Sequence, residues 1–211
     1  MQKVEKYISD VQSGEVPVCE HVRNAIDRYV ADRAAGWGFS DTYALHAIEF
    51  IEQLEHSTGE YAGKPFELEP WQAFIIWNLF GFLNEDGSRR FTRAYVEVPR
   101  KNGKSTFSSA VMLYGLIADD EAGAQIYSAA TKLDQAMMVF GESVRMCQNT
   151  DWLKDAVIVN NSVNNRRIIH EQNLYKPLEW NPNKQDGLNT HMAVIDEYHA
   201  HPNDELYNVL F

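Results

Sequence analysis

Apolar residues recur every three or four positions through the first quarter of the chain, and the rhythm then changes. The stretches 19–33 and 40–56 carry this spacing, with Leu45, Ile48, Phe50, Ile51 and Leu54 falling along one stripe, so the chain up to about Gly59 reads as helical. Ser40 is only a modest start signal, because Tyr43 stands where a capping box has an acid. Gly59, Gly63 and Pro65 interrupt the pattern. Glu69-Pro70-Trp71-Gln72 then opens a helix predicted over 71–83, with proline at an early position where no helical N–H is lost.

From residue 91 the pattern becomes strand, loop and helix. Residues 91–98 alternate and are rich in β-formers, which predicts a strand, and 105–118 is a small-residue-rich apolar helix. A strand over 124–129, a helix over 132–147, short strands over 157–160 and 167–171, and a strand over 192–195 ending in acids follow. Strands alternating with helices predict an α/β fold with a parallel sheet and ligands at the strand ends. The division expected is a helical N-terminal subdomain, 1–64, and a core, 65–211, with no internal repeat or low-complexity segment. The closing Tyr207-Asn208-Val209-Leu210-Phe211 is apolar with no polar tail, so continuation into a larger protein is expected.

With 211 residues, 45% of them hydrophobic, the chain can build one sizeable core. No apolar run reaches the length of a membrane helix, and MQKVEKYISD is too polar for a secretory signal. Cys19 and Cys147 lie far apart without metal-ligand spacing and read as buried apolar residues of a reduced, intracellular protein. The net charge of −11 opposes non-specific coating of DNA, so any contact with nucleic acid needs a local patch. Arg89, Arg90, Arg93, Arg100, Lys101 and Lys104 form one basic stretch facing only Glu97, but it is better read as a turn leading into a phosphate-binding loop.

That loop is Val98-Pro99-Arg100-Lys101-Asn102-Gly103-Lys104-Ser105, set between a predicted strand and a predicted helix. Valine replaces the first glycine of the usual G-x-x-x-x-G-K-[ST] pattern. Gly103 lets backbone amides approach phosphate, and the helix N-terminus adds partial positive charge. Lys104 can reach the β- and γ-phosphates, the Ser105 hydroxyl can ligate Mg2+, and Arg100 and Lys101 add two cations. Asn102 and Thr106 complete the nucleotide-contacting stretch expected here. Gly-Lys-Ser is a common tripeptide, and only its strand–loop–helix setting gives the match weight.

The second half of the site is His191-Met192-Ala193-Val194-Ile195-Asp196-Glu197, an apolar strand delivering two adjacent carboxylates. Asp196 is placed to hold Mg2+, and Glu197 to orient and polarise the water that attacks the γ-phosphate of ATP. Adjacent acids also end ordinary solvated strands, so it is the joint occurrence with the loop, in the right order, that predicts ATP hydrolysis. His199 and His201 follow at once, but nothing nearby completes a tetrahedral zinc set.

These pieces together resemble the ATPase domain of the large terminase subunit of tailed phages, in its HK97-like branch. Glu69-Pro70-Trp71-Gln72 resembles the adenine-contacting Q motif, with Gln72 and Trp71 as contacts, and residues 99–105 are similar to the glycine-poor Walker A of these motors, including its arginine, Arg100. Tyr127-Ser128-Ala129-Ala130-Thr131-Lys132 through Gln135-Ala136 resembles the segment after the first helix of the core. Asp186-Gly187-Leu188-Asn189, then residues 194–201, resemble the Walker B region. The likeness runs from about Pro65 to the end. It implies a RecA-like, ASCE-type P-loop fold using ATP and Mg2+, with Lys104, Glu197 and Arg100 in catalysis, to drive double-stranded DNA into a capsid.

The resemblance also implies a homo-oligomeric ring at the portal protein, a small terminase subunit as partner, and the host cytoplasm as location. A nuclease domain and the coupling motif would lie beyond Phe211. An arginine supplied in trans is expected just before Walker B, yet none occurs from Tyr175 to Asp196. Lys184 lies close by, and Arg166 and Arg167 further back, as candidates for that cation. The −11 charge favours an isolated monomer.

Two rival readings are a DExH-type helicase lobe of superfamily 2, which Asp196-Glu197-Tyr198-His199 also fits, and a nucleotide-binding interaction module that does not turn ATP over. The missing leading glycine and the lack of a second lobe oppose the first, and the presence of Glu197 opposes the second.

Overall fold

Helices α1 (Gln2–Ser13), α2 (Glu20–Ala34), α3 (Asp41–Glu52) and α4 (Pro70–Gly81) are assembled from two separate stretches of chain. The structure, a computed structural model, describes residues 1–163, 165–179 and 187–211. The first unit comprises Met1–Glu52 and Glu67–Glu97, and the second Gln53–Phe66 and Val98–Phe211. The boundary expected at residue 64 is therefore not the one the packing draws. The reason lies in α4: Ala73, Phe74, Ile76, Trp77 and Phe80 are all buried, and they fill the space beside α1 and α3.

Aromatic rings dominate this first core. Phe39 lies 4.9 Å from Phe82 and 5.3 Å from Trp77, and Tyr29 accepts a hydrogen bond from Trp77 Nε1 at 3.1 Å. The Ser40 N–H donates to the Gly81 carbonyl, which presses the end of α4 onto Phe39. A Cβ at Gly81 would sit 2.3 Å from the Phe39 ring. With Phe82 and Trp77 against it, that ring has little room to yield. Gly81→Ala is expected to destabilise the first unit by about 1–3 kcal/mol, read as a lower urea midpoint. An unchanged midpoint would show that Phe39 repacks freely.

The second unit contains α5 (Lys104–Ile117), β1 (Gln125–Ala130), α6 (Leu133–Asn149), α7 (Asp151–Ala156), β2 (Ile158–Ser162), β3 (Asn165–His170), β4 (Asn173–Glu179), β5 (Thr190–Ile195) and α8 (Glu205–Leu210). The strands form one sheet in the order β2-β3-β4-β1-β5. Only β4-β1-β5 is parallel; β2-β3 and β3-β4 are antiparallel, so the all-parallel expectation holds for half the sheet. The connections explain the difference. Two residues separate β2 from β3 and two separate β3 from β4, and so short a turn can join only antiparallel neighbours.

β4 was not evident from the sequence, because Lys176 and Pro177 spoil its β pattern. The proline is tolerated because β3 pairs with β4 only over Asn173–Tyr175, leaving one edge of Pro177 without a ladder partner. Residues 91–98, by contrast, are not a strand among the described residues. They lack a ladder, and Tyr95 is 76% exposed. Alternation and β-formers give propensity, but a strand needs a neighbouring edge to pair with.

One sheet face packs on α5 and α6. Tyr175 and Phe140 meet there at 5.2 Å, and Gly115 lets α5 approach so closely that a Cβ would lie 2.9 Å from Met192 Sδ. Burial pushes the Tyr175 hydroxyl and the Cys147 thiol up to about 12 each, which keeps both neutral. The opposite face carries Tyr127 and Ala129 under Leu206 and Leu210 of α8. Both cysteines are free, and Cys147 is buried as expected. Cys19 is not: it lies exposed at the N-cap of α2, where its neighbours leave it in solvent. Among the described residues no helix is long and apolar enough to cross a membrane.

Candidate nucleotide-binding site

The loop 98–103 is shaped by two left-handed residues, Lys101 at φ 68° and Gly103 at φ 72°. Glycine adopts this region freely, whereas Lys101 does so at a cost of about 1–2 kcal/mol. Asn102 holds the turn by donating to the carbonyls of Pro99 at 3.1 Å and Arg100 at 3.3 Å. Gly103 is the N-cap of α5 and has no side chain to cap with. The first helical bond runs from the Phe107 N–H to the Gly103 carbonyl, so the amides of Lys104, Ser105 and Thr106 precede the ladder. They point outward at the positive end of a 14-residue helix, the arrangement that suits a phosphate. Ser109 ties this first turn into the core, its hydroxyl lying 2.7 Å from the Ser105 carbonyl and 2.8 Å from that of Val139 on α6.

The acids arrive from the end of β5. The Asp196 N–H donates to the Ala129 carbonyl at 3.0 Å, extending the β1–β5 ladder by one residue and burying Asp196 to 8% exposure. Glu197 turns away through a left-handed conformation at φ 50°, and its N–H donates to Asp196 Oδ1 at 3.0 Å. That strained turn aims both carboxylates the same way. Lys104 Nζ reaches them together, 3.0 Å from Asp196 Oδ1 and 2.8 Å from Glu197 Oε1.

Burial works against the charge on Lys104, but hydrogen bonds to Glu197 and Asp196 outweigh it and raise the ammonium above its usual range. The hydrogen bond from Lys104, with its charge, holds Glu197 below the ordinary carboxylate range, and His199 and Arg100 add to the effect. His199 Nε2 stands 3.5 Å from Glu197 Oε2. Burial lowers His201, partly offset by a hydrogen bond with the Asp196 backbone. The two carboxylates that meet Lys104, and the hydroxyl of Ser105 next to it in the chain, are all oxygen donors, the kind that suits a hard divalent cation such as Mg2+.

Lys104, Asp196 and Glu197 thus meet, with Arg100, Lys101, Asn102, Gly103, Ser105 and Thr106 around Lys104 in the loop and first turn. Arg166 and Arg167 stand on β3, separated from β5 by β4 and β1, and Lys184 and Asp186 lie outside the described residues. Gln72 is only 3% exposed, in the first unit, and its Oε1 accepts the Glu69 N–H at 2.9 Å in a capping box. Glu69-Pro70-Trp71-Gln72 therefore has a structural use as a helix start. Thr131 follows β1, and its hydroxyl donates to Gln135 Oε1 at 2.8 Å.

A phosphate-ready helix start beside an acid-ended neighbouring strand defines a P-loop ATPase of the RecA-like kind. The model of the terminase large subunit ATPase domain family matches residues 70–210, and the chain belongs to that family. Its structure is similar to the crystal structure of the large terminase of bacteriophage HK97, with a TM-score of 0.66 and 26% identity over 79% of this chain. The chain spans 34% of the length of that protein. No match was found among curated proteins.

Proposed function

We propose that this chain is the motor domain that uses Mg2+-dependent ATP hydrolysis to drive double-stranded DNA into a viral capsid. The observation that carries the reading is the convergence of Lys104, from the head of α5, on both acids at the end of β5. Lys104, Arg100 and the amides of residues 104–106 hold the β- and γ-phosphates. Glu197 orients the attacking water and accepts its proton. Ser105 and Asp196 would hold Mg2+, which neutralises charge on the phosphate oxygens when bound.

Gln72 and Trp71 are proposed to select adenine. Because Gln72 also caps α4, nucleotide preference, not stability, is the property that tests this role. Subunits work as a ring at the portal protein, with the small terminase subunit, in the host cytoplasm, and free chains are monomers. A neighbour's cation completes each site. Arg166 and Arg167 are three strand spacings from β5, about 14 Å, and so are suited to serve a site other than their own.

The test has two arms. Phosphate release from ATP is measured for the purified protein and for Lys104→Ala, which is expected to lose nucleotide binding and turnover together. Nuclease protection of DNA is then followed with empty capsids, portal and small subunit, and is expected to require ATP. Hydrolysis without ATP-dependent protection would leave an ATPase and remove the motor.

A further inference from the structure

Lys104 has two jobs that cannot be done at once. Its ammonium lies within 3.0 Å of Asp196 and 2.8 Å of Glu197, so it sits among the oxygens that a divalent cation would need. Asp196 is buried, and its Oδ1 also accepts the Glu197 N–H, which fixes that carboxylate in place. The ammonium is the compensating charge of this pair, and burial makes the compensation necessary. A P-loop lysine bound to phosphate has to leave both acids.

We propose that Lys104 is a tethered occupant of the metal position, which closes the acid pair to free divalent cations until phosphate draws the ammonium away. Metal and nucleotide then enter as one complex. A cation approaching without phosphate meets a positive charge about 3 Å from the carboxylates, held by its own chain at high local concentration. Triphosphate offers the lysine a denser set of anionic oxygens, together with the open amides at the head of α5. Once the ammonium moves, Asp196 and Glu197 are left adjacent and uncompensated, which favours uptake of the accompanying cation. The inference rests on the nucleotide-site reading but concerns binding order, not chemistry.

Mn2+ is the probe, because its free and bound forms are separated by electron paramagnetic resonance without nucleotide or turnover. The unmodified protein is expected to take up Mn2+ only weakly when no nucleotide is added. Lys104→Met removes the ammonium while keeping an unbranched stem and is expected to bind Mn2+ about tenfold or more tightly. Adding Asp196→Asn should abolish that gain, and Lys104→Arg, which keeps the charge, should bind as weakly as the unmodified protein. Near-ultraviolet circular dichroism establishes that each variant is folded. Equal Mn2+ affinity in the unmodified protein and Lys104→Met would overturn the proposal, as would a gain that survives Asp196→Asn. Either result leaves ATP hydrolysis by the unmodified protein, measured separately, as the measure of the function itself.

Discussion

Glu197→Gln is expected to retain nucleotide within about threefold of the unmodified affinity and to lose turnover by about 10²–10⁴-fold. Glutamine keeps the shape of the side chain but cannot accept the water's proton. Asp196 still holds Lys104 at 3.0 Å, so the loop loses one of two anchors and the lysine is, if anything, easier to draw onto phosphate. Binding is read by calorimetry and the chemical step by single-turnover phosphate release. Turnover at the unmodified rate would take Glu197 out of the chemistry and with it the assignment of the strand end.

The second large effect concerns the cation from a neighbour. A dilute, monomeric sample is expected to hydrolyse slowly, and bringing subunits together should raise the rate by about 10³–10⁵-fold, the usual worth of an arginine supplied in trans. Arg166 and Arg167 are adjacent on β3 and so stand on opposite faces of the sheet. The registers distinguish them: Arg167 pairs with Asn160 on the side of Ile158 and Ile169, whereas Arg166 pairs with Asn161 on the side of Ile168 and Tyr175, where α6 packs. Only one side can face a given neighbour. Alanine at that position should abolish the rise on assembly while leaving nucleotide binding intact, and alanine at the other should do little. Rapid hydrolysis by a demonstrably monomeric sample would place every catalytic group in one chain.

The residues of the candidate site were legible because they are written locally. Gly103-Lys104-Ser105 and Asp196-Glu197 are each contiguous, and the structure brings them together across 93 residues. What was not legible depended on partners distant in sequence. Residues 91–98 have strand composition but no ladder among the described residues, and β4 has a ladder despite Lys176 and Pro177. The assignment of α4 to the first unit followed from aromatic packing around Phe39 and Trp77, which no periodicity announces. Gln72 shows a motif with two readings, since the residues that resemble an adenine contact also build a capping box.

Three helix starts differ in what completes them. Ser40 Oγ accepts the Tyr43 N–H at the start of α3, and Glu69 with Gln72 closes the start of α4. Gly103 offers α5 nothing of the kind. A side-chain cap is worth about 0.5–2 kcal/mol to a helix. At α5 no side chain supplies it, and a phosphate bound there as proposed would do so in its place. Anion binding as proposed would then strengthen the helix that performs it, and a serine at position 103 could not take the anion's place, because a side chain at φ 72° is strained and a side-chain cap needs extended backbone.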